Sequence, residues 1–127
     1  MTTARGTFDV TLTPATPELD GVVSRIQLHK LFRGGLEGEG AGVMLSAGDP
    51  ASGSAGYVAI EVVRGTLDGR PGAMVLAQLG LMVAGSQSLH YEIVPGSGQG
   101  ELAGVTGSLD LVVDPDGTHR YELRYDL

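Results

Sequence analysis

No cysteine occurs in the 127 residues, and this one absence removes disulfides, thiolate nucleophiles and zinc sites built on sulfur. Positive charge is also scarce. Eight Lys and Arg stand against fifteen Asp and Glu, a net charge of −7, and the acidic residues are spread along the chain instead of gathered in a tail. Phosphate recognition needs a basic surface, so neither nucleic acid nor an anionic membrane is an expected partner. No apolar run approaches the ~20 residues of a bilayer span, and the opening MTTARGTFDV lacks an apolar stretch of signal-peptide length, so a cytoplasmic protein is expected. No heptad or long helical stripe is present, and the length suits one domain, residues 1–127.

What is abundant is glycine, 21 residues with no collagen period, among short runs of alternating hydrophobicity. Such glycines mark turns and strand irregularities. GTFDVTLTP sets Phe8, Val10 and Leu12 against Thr7, Asp9 and Thr11. SRIQLHKLF follows, then LEGEGAGVMLSAG, SAGYVAIEVVRGTLDG, RPGAMVLAQLGLMVAG, SLHYEIVPG, ELAGVTGSLDLVVD and THRYELRYDL. A tight turn at Asp68-Gly69 joins the fourth and fifth runs. Eight strands with no room for a crossover helix predict an all-β fold, an eight-stranded antiparallel up-and-down barrel, with a sandwich as the alternative. The fourth and fifth strands are apolar on both faces, which suits burial on two sides or an outer face covered by another subunit; a homodimer or higher homo-oligomer is expected.

Period-two alternation also assigns the interior. Glu37 and Glu39 must face water, which turns Gly38, Gly40 and Gly42 inward and leaves three successive interior positions without side chains. Either bulky residues from across the barrel fill that space or a ligand does. Lys30 falls on the face of Ile26, Leu28 and Phe32, where a hydrophobe belongs. Gln78 shares a face with Met74, Leu76 and Met82, and Glu61 shares parity with Tyr57 and Val63. An ammonium and a carboxylate in one apolar chamber survive only paired or neutralised. Lys30 therefore either snorkels at a barrel mouth, pairs with Glu61 or Glu37, or serves as a pocket cation that orients a ligand oxygen.

Familiar catalytic signatures are missing. No Gly-x-Ser-x-Gly elbow surrounds Ser46, Ser54 or Ser97, and His29, His90 and His119 are isolated, so no metal site is expected. GSGQGE fits neither the dinucleotide fingerprint nor the phosphate loop and reads as a turn.

Five segments, HKLFRGGLEGEG, SAGYVAIE, GTLDGRPGAMVL, VPGSGQGELAGVTGSL and DGTHRYELRYDL, together resemble the bacterial family called domain of unknown function 3224, over about Gly6 to Leu127. The resemblance implies a small barrel similar in fold to allene oxide cyclase and, by analogy, a cyclase or isomerase that works without a cofactor. Where the family usually carries Gln-His, an arginine after the glutamate, and an aspartate, this chain has Ala77-Gln78, Val62 and Gly35. Its inner wall is thus more apolar, which suits a pocket that folds a greasy substrate into a reactive shape.

The expectation is a cofactor-free cyclase or isomerase for a hydrophobic, oxygenated small molecule, polyketide- or lipid-like. Lys30, Gln78 and Glu61 are its candidate catalytic residues. Phe32, Gly38, Gly40, Met44, Tyr57, Met74, Leu76, Met82, Tyr91, Tyr121 and Tyr125 are candidates for the substrate wall. A carrier with the same pocket, or a filled structural module, are the alternatives.

Overall fold

A computed structural model describes all residues from 1 to 127. Ten strands follow in chain order: β1 (Thr2–Leu12), β2 (Thr16–Glu18), β3 (Val23–Gly34), β4 (Leu36–Asp49), β5 (Ser54–Leu67), β6 (Arg70–Val83), β7 (Ser86–Ile93), β8 (Gln99–Gly100), β9 (Thr106–Val113) and β10 (His119–Asp126). Eight of them close an antiparallel barrel in the order β1, β3, β4, β5, β6, β7, β9, β10 and back to β1, while β2 pairs with the start of β3 and β8 with the start of β6. Chain neighbours are barrel neighbours throughout, the up-and-down meander that short connections impose. No helix is long and apolar enough to cross a membrane.

Turn chemistry sets the register. Between β5 and β6, Asp68 and Gly69 have φ of +48° and +85°, the two left-handed residues of a hairpin turn whose twist matches its strands. Leu67 therefore pairs with Arg70, and each following pair down to Ala55 and Met82 is placed.

One end of the barrel is filled. Phe8 and Phe32 pack with ring centroids 5.3 Å apart, and Tyr121 meets Phe32 edge-on at 5.8 Å. Leu36, Leu67, Leu76 and Leu123 complete that layer. The connection from β7 to β9 closes this end, with Leu102 and Val105 fully buried in the core. The expected seventh strand from Glu101 is corrected here: residues 101–104 form a turn and β9 begins at Thr106. Leu102 and Val105 face inward as a plug, and an apolar plug has the same hydrophobic signature as a strand.

The glycine column is occupied as well. A Cβ on Gly40 would stand 3.1 Å from Glu61 Oε2 and 3.2 Å from Phe32 Cε2, and one on Gly42 would stand 2.4 Å from the Ile60 carbonyl oxygen and 2.7 Å from Glu61 Cβ. Bulky neighbours fill this space, the first of the two alternatives the sequence left open. Replacing Gly42 with alanine forces backbone against backbone, so Gly42→Ala should lower the unfolding free energy by about 1–3 kcal/mol with an unchanged slope in urea. An unaltered midpoint would show that β4 and β5 have slack at this crossing.

Candidate functional site

Above the filled layer, four strands each contribute polar side chains to one cluster. Lys30 on β3 donates from Nζ to Glu61 Oε1 at 3.0 Å and to the Tyr91 hydroxyl at 2.7 Å. That hydroxyl donates in turn to the same carboxylate oxygen. Gln78 on β6 donates from Nε2 to Glu61 Oε1 at 3.3 Å, and its Oε1 accepts from the Tyr57 hydroxyl at 3.0 Å. Glu61 is 0 % exposed and Lys30 4 %. Lysine does not snorkel here; its partner is Glu61, not Glu37.

Each charge in this cluster carries a desolvation cost that geometry must offset. Burial pulls the Lys30 ammonium below its ordinary pKa of 10.5, against the opposing pull of Glu61. The ammonium also lies 4.7 Å from the Phe8 ring centroid and 5.0 Å from that of Tyr91, where the ring faces attract it. Glu61 Oε1 takes three donors, while Oε2 is buried with none. A Cβ on Gly40 would stand 3.1 Å from Oε2, so the missing side chain there leaves this oxygen its room.

A cavity of about 710 Å³ opens at the other end of the barrel. Ile26, Met44, Met82, Leu89 and Leu111 are among its apolar walls, with Ser46, Gln87 and Ser88 as polar points. Tyr57 belongs to both regions: it lines the cavity, and its hydroxyl joins the cluster. The ring lies against Gly80, where a Cβ would come within 2.3 Å of it. The lysine and the carboxylate are absent from the cavity wall. Tyr57 is thus the point at which the cluster meets the cavity.

The matching family model, "Protein of unknown function (DUF3224)", covers residues 4–125. The chain belongs to the DUF3224 family. A crystal structure of a DUF3224 protein of unknown function from Shewanella oneidensis MR-1 is 45% identical, with a TM-score of 0.93 over 100% of this chain and 97% of that one. No curated protein matches.

Of the residues singled out in this DUF3224 chain, Lys30, Glu61, Gln78, Tyr57 and Tyr91 come together in one network. Met44, Met82 and Tyr57 line the cavity. Phe32, Met74, Leu76, Tyr121 and Tyr125 lie in the packed core, and Gly38 and Gly40 face that half of the barrel, away from the cavity. The Tyr121 hydroxyl is spent on backbone, accepting from Leu36 N–H at 2.9 Å and donating to a neighbouring carbonyl. Reading the sequence missed His119, whose ring stacks on Phe8 at 5.0 Å; its shared parity with Tyr121 was the available signal. Ile26, Leu89 and Leu111 were missed too, because alternation tells in from out but not which end is open.

Two outcomes test this cluster. All four tyrosines, Tyr57, Tyr91, Tyr121 and Tyr125, are held above their ordinary pKa of 10.0, burial being the leading cause in each, and Tyr125, bonded to Asp68, is pushed up to about 12. A raised folded-state value favours the native protein below pH 10 and is lost as pH climbs through it. The near-ultraviolet tyrosinate signal at pH 10 should therefore be small in folded protein and half-developed in denaturant, and stability should fall above pH 10. Lys30→Met strands a buried carboxylate and should cost about 3–5 kcal/mol in urea unfolding, most of it recovered when Glu61→Gln is added. Additive losses in the double variant would mean the pair is not coupled.

Proposed function

We propose that the protein is a small-molecule-binding barrel whose ligand is apolar with one hydroxyl. The supporting observation is the cavity: about 710 Å³ lies within the 300–1,000 Å³ typical of ligand sites, and 10 of its 17 lining residues are hydrophobic. Ligand class follows from hydrogen-bond direction. Tyr57 gives its proton to Gln78, and Gln78 is held in turn by Glu61. The Tyr57 oxygen therefore meets the cavity as an acceptor, which a ligand hydroxyl satisfies and a carboxylate does not. A buried charge pair behind it keeps that orientation fixed at little motional cost.

Catalysis is the second reading, a cofactor-free cyclase or isomerase, and the Lys30, Glu61 and Tyr91 cluster favours it. A buried ion pair is a poor device for stability and a common one for chemistry. Proton transfer needs contact, however, and here Tyr57 and Gln78 stand between the ligand space and the charges.

Native mass spectrometry with medium-chain alcohols, and with alkanes of equal length, tests the proposal. One alcohol per chain is expected, bound more tightly than the alkane. Tyr57→Phe should weaken alcohol binding about tenfold, one hydrogen bond's worth, and leave the alkane unaffected. Bare protein with every compound would remove the binding reading, and an altered ligand recovered from the complex would move the assignment to catalysis.

A further inference from the structure

The outer surface of β4, β5 and β6 carries an apolar field that takes no part in the barrel core, although its last row, Ala47, Gly56 and Leu81, also borders the cavity mouth. Register sets Val43 beside Ile60 and Ala77, then Leu45 beside Val58 and Leu79, then Ala47 beside Gly56 and Leu81. Val43, Leu45, Val58, Ile60, Leu79 and Leu81 are 36% to 53% exposed. From strand and residue spacings the field measures about 300–350 Å² in projection, the size of the largest apolar patch on an ordinary monomer, which is often a functional one.

Its two flanks differ in charge. On β3, Arg25 stands level with Leu45 and Gln27 with Val43; on β7, His90 stands level with Leu79 and Glu92 with Ala77. Arg25 and Glu92 take no part in an ion pair within the chain, nor do Arg64 and Arg70, whereas Arg5, Arg33, Arg120 and Arg124 all do. Both flanks lie two strands from β5, one cationic and one acidic.

We propose that this face is a self-association surface, on which a second copy of the chain docks about a two-fold axis running along β5. Such an axis exchanges the flanks, so the β3 edge of each copy covers the β7 edge of the other. Gln27 then faces Glu92, and Arg25 lies one residue pair, ~7 Å along the strand, from the same carboxylate and within reach of it. An axis across the strands would lay the β3 edge on the β3 edge and the β7 edge on the β7 edge, gathering the two Arg25 on one side and the two Glu92 on the other, which repulsion disfavours. The contact is isologous and closes as a dimer. Its area is below the ~800 Å² per partner of a standard interface, so the dimer dissociates with a Kd on the order of micromolar.

Sedimentation equilibrium over a dilution series reads this directly. The mass should fall from twice 13.1 kDa to 13.1 kDa on dilution. Ile60→Lys, on an outward side chain, should leave a monomer at every concentration with wild-type melting, while Val112→Lys, on exposed β9 surface elsewhere, keeps the dimer. Arg25→Glu and Glu92→Arg should each weaken association about tenfold or more, and the two together should restore it. A wild-type monomer throughout, or a dimer that survives Ile60→Lys, would overturn the surface. Failure of the charge exchange to restore association would overturn the axis.

Discussion

One carboxylate oxygen with no access to water holds the middle of the barrel together. Glu61 Oε1 accepts from Lys30, Gln78 and Tyr91, three side chains on three different strands, so moving any one of those strands breaks a hydrogen bond that solvent cannot replace. The cluster is costly as a source of stability, since two charges have been taken out of water to make it. Its structural effect is to separate two regimes along the barrel axis. On one side lie Phe8, Phe32, Leu36 and the Leu102 and Val105 plug, buried together in one core; on the other lies an open chamber. A wholly apolar interior would have no such layer to mark where filling stops.

Glycine allows this arrangement by removing side chains where the carboxylate and a ring need room. Gly40 and Gly42 accommodate Glu61, and Gly80 accommodates the Tyr57 ring. The close approach of β4 to β5 and the depth of the cavity floor share this cause. Tyr57, resting on Gly80 and tied to Gln78, joins the chamber to the charges below it.

The outside of the barrel has its own division. Polar residues cover most strands in the alternation expected of a half-buried sheet, but β4 to β6 present Val58, Ile60, Leu79 and Leu81 to solvent. Hydrophobic on both faces, β5 and β6 read from sequence as buried on two sides or covered by another subunit. Within one chain their outer face is exposed, and the charge difference between the β3 and β7 flanks is what would give a second copy, as proposed above, a preferred orientation.

Alternation by two was enough to establish the all-β class, the eight barrel strands, the inward direction of Lys30, Gln78 and Tyr91, and the turn at Asp68-Gly69, and it left Glu61 inward only if its face of β5 was the inner one. These are local properties, decided by the pleat and by which backbone angles a residue tolerates. Tertiary structure alone decided that Lys30 pairs with Glu61, that residues 101–105 form a plug and not a strand, that the glycine column is covered, and that the chamber opens beside Met44, Met82 and Tyr57. Those outcomes depend on strand tilt and on which side chains reach one another across the barrel. Period-two spacing records the face of a residue but not its height along the axis, and height is what separates core from cavity here.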